Sequence, residues 1–366
     1  MGLQCGIVGL PNVGKSTLFN AITSTNLAAA ANYPFCTIEP NTGVVAVPDG
    51  RLKVLTQIAE PDKEVPATIE FVDIAGLVKG AAQGEGLGNQ FLSHIRDVDA
   101  ILHVVRCFDD SNIIHVDGSV NPKRDIEIID AELIFKDLET VEKKLDGAAR
   151  KAKTGDPKAK AETDFYERVK KSLESSKLAR TFPIENDDEA MWMRDMHLIT
   201  RKPIMYIANT DEAGLANGNA YIDTVREIAN AEGANIVPIC AKIECELAEL
   251  PPDERQAFLE ELGMKEPGLN VIVRSAYDLL GLQTYFTVGK QEVRAWTVRK
   301  GAKAPEAAGV IHTDFEKGFI RAEVMKYDDF VRLKTEAAMR DAGLLRSEGR
   351  DYTVADGDIM HFRFNV

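Results

Sequence analysis

Residues Gly9 to Ser16 read Gly-Leu-Pro-Asn-Val-Gly-Lys-Ser, with two glycines, a lysine and a hydroxyl at fixed offsets. The flanking residues narrow the choice of fold further. Leu3, Cys5, Ile7 and Val8 form a short apolar run, the pattern of a buried strand, and beyond Lys15 the residues Leu18, Phe19, Ala21 and Ile22 have helical spacing. Strand, glycine loop and helix in that order make a cradle for phosphate. Gly9 and Gly14 let the backbone curl so that successive N–H groups point inward, and the helix N-terminus adds partial positive charge. In such a cradle Lys15 pairs with the β and γ phosphates of a nucleoside triphosphate and Ser16 holds Mg2+.

At 366 residues, 45% hydrophobic and 28% charged, the chain is long enough for two or three globular domains with their own cores. No apolar stretch approaches the ~20 residues of a membrane helix. Met1 to Gln4 lead straight into a strand, so the expectation is a cytoplasmic protein with no membrane partner. The five cysteines, Cys5, Cys36, Cys107, Cys240 and Cys245, lack paired metal spacing and are expected as reduced thiols. A net charge of −14 excludes broad coating of nucleic acid by the whole surface, so any RNA contact must be a local basic patch.

Apolar strands alternate with helical segments over residues 1–125 and 200–278, the signature of a mostly parallel sheet in an α/β nucleotide-binding domain. The strand candidates are 3–8, 42–47, 68–73, 100–106, 203–208 and 235–240. Between the two stretches, residues 126–199 read as an inserted helical hairpin. Ile126, Ile129, Leu133, Leu138, Val141 and Leu145 carry helical spacing, which Gly155-Asp156-Pro157 interrupts and Phe165, Val169 and Leu173 resume. Basic residues gather there, among them Lys143, Lys144, Arg150, Lys151, Lys153 and Lys171. Two readings stand: the solvated face of a long helix, or an electrostatic dock for RNA phosphates. From residue 279 to 366 short alternating runs predict a separate small sheet domain.

Three further motifs bear on chemistry. Asp73-Ile74-Ala75-Gly76 ends a strand, where Asp73 can hold Mg2+ through water and Gly76 can offer its N–H to a γ phosphate. Thr37 sits where a mobile loop can close a second hydroxyl onto the metal, and the run Gly80 to Gly88 has the composition of a switch segment. Leu77 follows Gly76 where many GTPases carry a water-orienting glutamine, a task an aliphatic side chain cannot perform. His115 is a candidate for that task from elsewhere in the chain, though an isolated loop histidine is more often structural. Guanine is usually gripped by an aspartate with a lysine alongside the base. The tetrad here is Asn209-Thr210-Asp211-Glu212, and the extra methylene of Glu212 moves its carboxylate by about an ångström, enough to spoil a bidentate pairing. The guanine preference should weaken or vanish. Asn209 remains able to meet a purine N7 edge or to tie adjacent loops, and Cys240-Ala241-Lys242 would wrap the base from the other side.

These motifs, with Asn41-Thr42-Gly43-Val44-Val45, Gly84 to Phe91 and Ala295-Trp296-Thr297, resemble the Obg-related P-loop proteins, and more narrowly the YchF or Obg-like ATPase subfamily from start to finish. The resemblance implies a P-loop domain, an inserted coiled-coil arm and a C-terminal TGS domain of β-grasp type. It also implies ATP preferred over GTP, slow hydrolysis, and binding to ribosomes (70S particles or large subunits) through arm and TGS domain, by a monomer. Carried over residue by residue, nucleotide contacts fall on Asn12, Val13, Gly14, Lys15, Ser16 and Thr17, the Mg2+ ligands on Ser16 and Thr37, and the hydrolysis-assisting histidine on His115. Asn12 matches an asparagine that helps bind K+ in cation-dependent relatives. Two other readings stay open: a GTPase of ribosome assembly, and a nucleotide-sensing adaptor whose hydrolysis is incidental.

Overall fold

A computed structural model describes residues 3–24, 41–74, 87–153 and 155–365. The apolar run after Leu3 is β1 (Gln4–Val8), and the spacing beyond the glycine loop becomes α1 (Lys15–Ser24), which turns Leu18, Ala21 and Ile22 inward. Next come β2 (Thr42–Ala46), α2 (Gly50–Ala59), β3 (Lys63–Val65), β4 (Thr68–Asp73), α3 (Leu87–Asp97) and β5 (Ala100–Arg106). β5 is buried along its whole length, as a central parallel strand must be.

The arm begins at α4 (Pro122–Ala152). Asn121 caps it by accepting from the Arg124 N–H, and Pro122 takes the first helical position, where a missing donor costs nothing. Gly155, at a φ of 86°, takes the left-handed turn that most residues resist. Asp156 and Pro157 then cap and open α5 (Pro157–Glu174), and α6 (Asp187–Met196) follows. These helices share one core, in which Val141 of α4 and Phe165, Val169 and Leu173 of α5 pack with Trp192, Met193 and Met196 of α6. The chain then forms β6 (Ile204–Asn209), α7 (Glu212–Asn217), α8 (Ala220–Glu232), β7 (Asn235–Ile239) and α9 (Ala241–Glu249).

The first sheet has the order β2-β4-β1-β5-β6-β7, with β1 parallel to β4 on one side and to β5 on the other. The chain leaves β1 for one flank and later returns to the other. The crevice outside the C-terminal ends of these strands is where open α/β sheets bind ligands.

The described residues divide into two compact units, 3–24 with 41–43 and 70–271, and 44–69 with 272–365. The second unit carries a mixed sheet in the order β11-β10-β12-β8-β9-β3, using β8 (Leu282–Val288), β9 (Glu292–Arg299), β10 (Phe319–Met325), β11 (Arg346–Glu348) and β12 (Ile359–Phe364). A helix, Ala304–Ile311, lays Ala304, Ala307 and Ala308 against Tyr285, Val298 and Val324, a β-grasp arrangement. Residues 44–69 and 272–278, which the sequence reading groups with the nucleotide-binding domain, thus fall in the second unit, although 44–46 and 68–69 still belong to strands of the first sheet. The cause is pairing: Lys63, Glu64 and Val65 run parallel to Glu292, Val293 and Arg294, and Arg51 forks between Asp49 and Asp356. Among the described residues no helix is long and apolar enough to cross a membrane.

Phe165 is 1% exposed and its ring meets those of Tyr166, Phe182 and Trp192. Phe165→Ala is expected to cost about 3–5 kcal/mol, read as lost hydrogen-exchange protection in α4 and α5. Unchanged protection there would show that the arm draws its stability from elsewhere.

Candidate nucleotide site

Strand register brings the predicted residues together. Ile7 stands beside Asp73, so the end of β4 lies against the start of the glycine loop, and Ser16 Oγ donates to Asp73 Oδ2 at 3.2 Å. The other oxygen, Oδ1, is buried with no hydrogen-bond partner among the described residues. A buried carboxylate oxygen without a donor is costly unless a cation relieves it, so the pair fits a hard cation such as Mg2+. The predicted Thr37, Gly76 and Leu77, and residues 80–86 of the glycine-rich run, lie outside the described residues.

The loop itself is tightly determined. Gly14 has a φ of 97°, and a Cβ there would lie 2.4 Å from Asn209 Nδ2. On Gly9 a Cβ would lie 2.5 Å from the Val104 carbonyl. Val13 turns its side chain into the core, whereas Asn12, at a φ of 61°, reaches outward and donates from Nδ2 to the Ile114 carbonyl at 3.2 Å. Lys15 is 7% exposed and donates to the Leu10 carbonyl at 2.7 Å. Burial lowers its pKa to about 8, against the pull of Asp73.

At the other end, Asn209 ties two loops. Its Nδ2 donates to the Val13 carbonyl at 2.9 Å and its Oδ1 accepts from the Ala241 N–H at 3.0 Å. Of the two options in the sequence, its side chain takes the loop-tying one. Thr210 turns inward, 3% exposed, and donates to the Cys107 carbonyl at 3.1 Å. It therefore does not line a base as the lysine of a guanine reader would. Asp211 caps α7 by accepting from the Gly214 N–H at 2.7 Å. Glu212 is exposed, with Lys242 Nζ 3.3 Å from its Oε1. Cys240 is buried, which raises its thiol pKa, and it places Ala241 for the Asn209 contact. Between the loops runs a cleft of about 810 Å3, with Asn12, Gly14 and Thr17 at one end and Thr210, Glu212 and Lys242 at the other.

His115 is brought near this cleft but not into it. Its Nε2 lies 2.8 Å from Asp125 Oδ2, and its Nδ1 accepts from the Asp117 N–H at 3.1 Å, which leaves the proton on Nε2 for Asp125. Both ring nitrogens are thus occupied, and the imidazole offers none to a phosphate or a water in this arrangement. His115, Asp117 and Asp125 converge as a metal site would. Arg124 already fills the cationic role there, 3.1 Å from Asp125 and 3.8 Å from Asp117.

Two residues that position the site were missed by sequence reasoning. Arg106 is 2% exposed and donates to the carbonyls of Phe108, Asp110 and Ile113, fixing the loop that carries His115. Its signal was present, an arginine closing a strand that is apolar but for His103. Asn219 Nδ2 meets the Cys107 carbonyl at 2.9 Å and Thr210 Oγ1 at 3.0 Å, and no local pattern marks it.

A family model described as a 50S ribosome-binding GTPase matches residues 4–144, and the YchF-GTPase C-terminal model, described as a protein of unknown function, matches residues 282–365. Similar proteins over 100% of both chains include the ribosome-binding ATPase YchF of Pasteurella multocida, 57% identical, and that of Escherichia coli O157:H7, 56% identical. The Bacillus subtilis protein of that name is 54% identical over the same full span. The solved structure of the Schizosaccharomyces pombe YchF GTPase is 42% identical, with a TM-score of 0.88 over 99% of this chain and 98% of that one.

Asn209→Ala removes two buried bonds and strands the Val13 carbonyl and the Ala241 N–H, so a loss of about 2 kcal/mol is expected from the denaturant midpoint. An unchanged midpoint would show that the two loops hold themselves. A second outcome concerns pH. Because burial sets the Lys15 pKa near 8, a triphosphate that raises it must take up a proton above that pH, so affinity falls as pH rises, by about tenfold at pH 9. Calorimetry in buffers of different ionisation enthalpy reads the uptake, which Lys15→Arg should abolish.

Proposed function

The chain belongs to the YchF family, and on that premise we propose that it is a ribosome-binding, Mg2+-dependent ATPase that turns over slowly and uses its nucleotide state to control docking on ribosomal particles. The observation that carries this reading is the base end of the cleft. Thr210 is buried and bonded to Cys107, and Glu212 leans toward Lys242, so neither half of a guanine clasp is offered. Both purine triphosphates share the phosphate end, where the loop amides, Lys15 and the helix N-terminus bind charge. Discrimination therefore falls to the base end, where loss of the guanine clasp removes the preference for GTP, and the ATPase name of the relatives supports ATP.

Ser16 and Asp73 would hold Mg2+, and the ion would supply positive charge against the phosphates of a bound triphosphate. Thr37 is proposed as a further ligand, Asn12 as a contact for K+, and Gly76 as a donor to the γ phosphate. Slow turnover follows from Leu77, which cannot orient water, and from His115, which must leave Asp125 before a ring nitrogen is free. In this reading the protein acts as a monomer in the cytoplasm, its arm and TGS domain facing ribosomal RNA.

The names of its relatives divide between ATPase and GTPase, so the base preference is the point to test. Calorimetry should give ATP at least about tenfold tighter than GTP, and Glu212→Asp should narrow that ratio. GTP binding tighter than ATP would favour the ribosome-assembly GTPase reading instead. His115→Ala should lower kcat by about 10²-fold with ATP affinity kept. Unchanged turnover with ribosome binding retained would favour the nucleotide-sensing adaptor.

A further inference from the structure

Where α3, α4 and α6 meet, a cleft of about 710 Å3 collects charged side chains of one sign. Arg96 enters from the last turn of α3, Lys143 and Lys144 from within α4, and Arg194 from the end of α6, with His197 as the capping residue of that helix. Arg201 and Lys202 follow on the turn that leads into β6, and buried Met193, Met196 and Leu198 make the floor. Among the described residues no aspartate or glutamate lines the cleft, in a chain where acids outnumber Lys and Arg by 58 to 44.

Three of these cations are held by neutral oxygens. Arg96 donates to Thr140 Oγ1 at 2.9 Å, Arg201 to the carbonyls of Ala179 and Arg180, and Lys202 to the carbonyls of Arg96 and Val98. Such partners fix a cation in place without cancelling its charge. Lys143, Lys144, Arg194 and His197 have no side-chain hydrogen-bond or ion-pair partner among the described residues. Several cations elsewhere on the arm are neutralised: Lys158 by Asp188, Lys170 by Glu142, and Arg168 by Glu185 and Glu189.

The frame under the cleft is rigid. Asp137 of α4 is buried and accepts from the N–H groups of Ile199 and Thr200 at 2.8 Å and from Thr200 Oγ1 at 2.7 Å. That carboxylate pins the turn carrying Arg201 and Lys202. Burial lowers the Lys202 pKa despite Asp97, Asp99 and Asp137 nearby, so an arriving anion would be met by a partly desolvated ammonium. Cations at helix C-termini offset the helix dipole, which accounts for Arg96 and Arg194. It does not account for Lys143 and Lys144, which sit well inside α4.

We propose that this cleft at the root of the arm binds the phosphate backbone of an RNA. The arginines offer planar forks that match phosphate oxygens, and so many convergent cations exceed what one isolated phosphate needs. The arginines and lysines of the lining are donors only, the complement of phosphate oxygens, so the proposed contact is to the backbone, which positions an RNA. The assignment rests on the ribosome-binding reading and deepens it, moving the contact from the arm as a whole to its root.

The test compares the full chain with the triple variant Lys143→Ala, Lys144→Ala, Arg194→Ala. A control, Arg150→Ala, Lys171→Ala, Lys177→Ala, removes the same charge from exposed positions elsewhere on the arm. Affinity for ribosomes and for protein-free ribosomal RNA is measured against salt, with ATP affinity as the check on folding. The cleft variant should bind both about tenfold more weakly, with the slope of log K against log salt reduced by about 2 to 3, and the control should resemble the wild type. If the wild type binds ribosomes and the cleft variant keeps both affinity and slope, the cleft assignment falls while the ribosome reading stands. If the variant loses ribosomes but the wild type ignores protein-free RNA, the partner is an acidic protein face and the RNA assignment is overturned. If the wild type binds RNA through the cleft but not ribosomes, the cleft assignment stands and the ribosome reading falls; binding to neither removes both.

Discussion

The geometry of the nucleotide site depends on one side chain, Asn209. It ends β6, in register with Arg106 of β5 and Ile239 of β7, and spans from the Val13 carbonyl to the Ala241 N–H. One amide therefore sets the distance between the phosphate loop and the loop that closes the base end. It also explains why position 14 is glycine, since any Cβ there meets the amide nitrogen of Asn209. Only a planar group with a donor and an acceptor on one carbon can make both bonds, which is why an aspartate could not replace it at neutral pH.

A second layer of buried polar residues keeps the loops around the cleft in shape. Arg106 satisfies three carbonyls of the 108–113 loop, and its guanidinium lies 4.8 Å from the Phe108 ring centroid. Asn219 and Thr210 share the Cys107 carbonyl. These groups fold irregular backbone without leaving its polar atoms unpaired, which is the condition for burying a loop at all. On the proposed reading, base specificity falls where the scaffold is looser, at the exposed pair of Glu212 and Lys242.

Much of this was legible in the sequence where a local pattern carries the physics. The six strands of the first sheet follow from apolar runs, and the hairpin from helical spacing broken at Gly155-Asp156-Pro157, where α5 begins. β3 was not legible, because Lys63-Glu64-Val65 is too short and too polar to read as a strand until β9 offers it an edge. β10 was hidden by Arg321 and Glu323. That glutamate is buried against Arg321 and Arg363, charge pairing that only tertiary contact supplies. At the site, spacing singled out the loop residues and Asp73, which the strand register sets side by side. The inward turn of Thr210 and the engagement of His115 by Asp125 were not legible, since each depends on a partner whose place is fixed by the fold.

Lys15 and His115 share a feature that bears on rate. Each is satisfied within the chain, Lys15 by the Leu10 carbonyl and His115 by Asp125 and the Asp117 amide. On the proposed reading both contacts must be exchanged for contacts to the triphosphate or its attacking water. For Lys15 the exchange is favourable, because a neutral carbonyl gives way to charged oxygens. For His115 it runs the other way, since a buried carboxylate must be left behind without the imidazole. Asn12 links the two events, its side chain holding the Ile114 carbonyl one residue before His115. A ligand that draws Asn12 toward the phosphates would loosen that loop and lower the cost of freeing His115, so hydrolysis, slow for want of the imidazole, would await that exchange at Asn12.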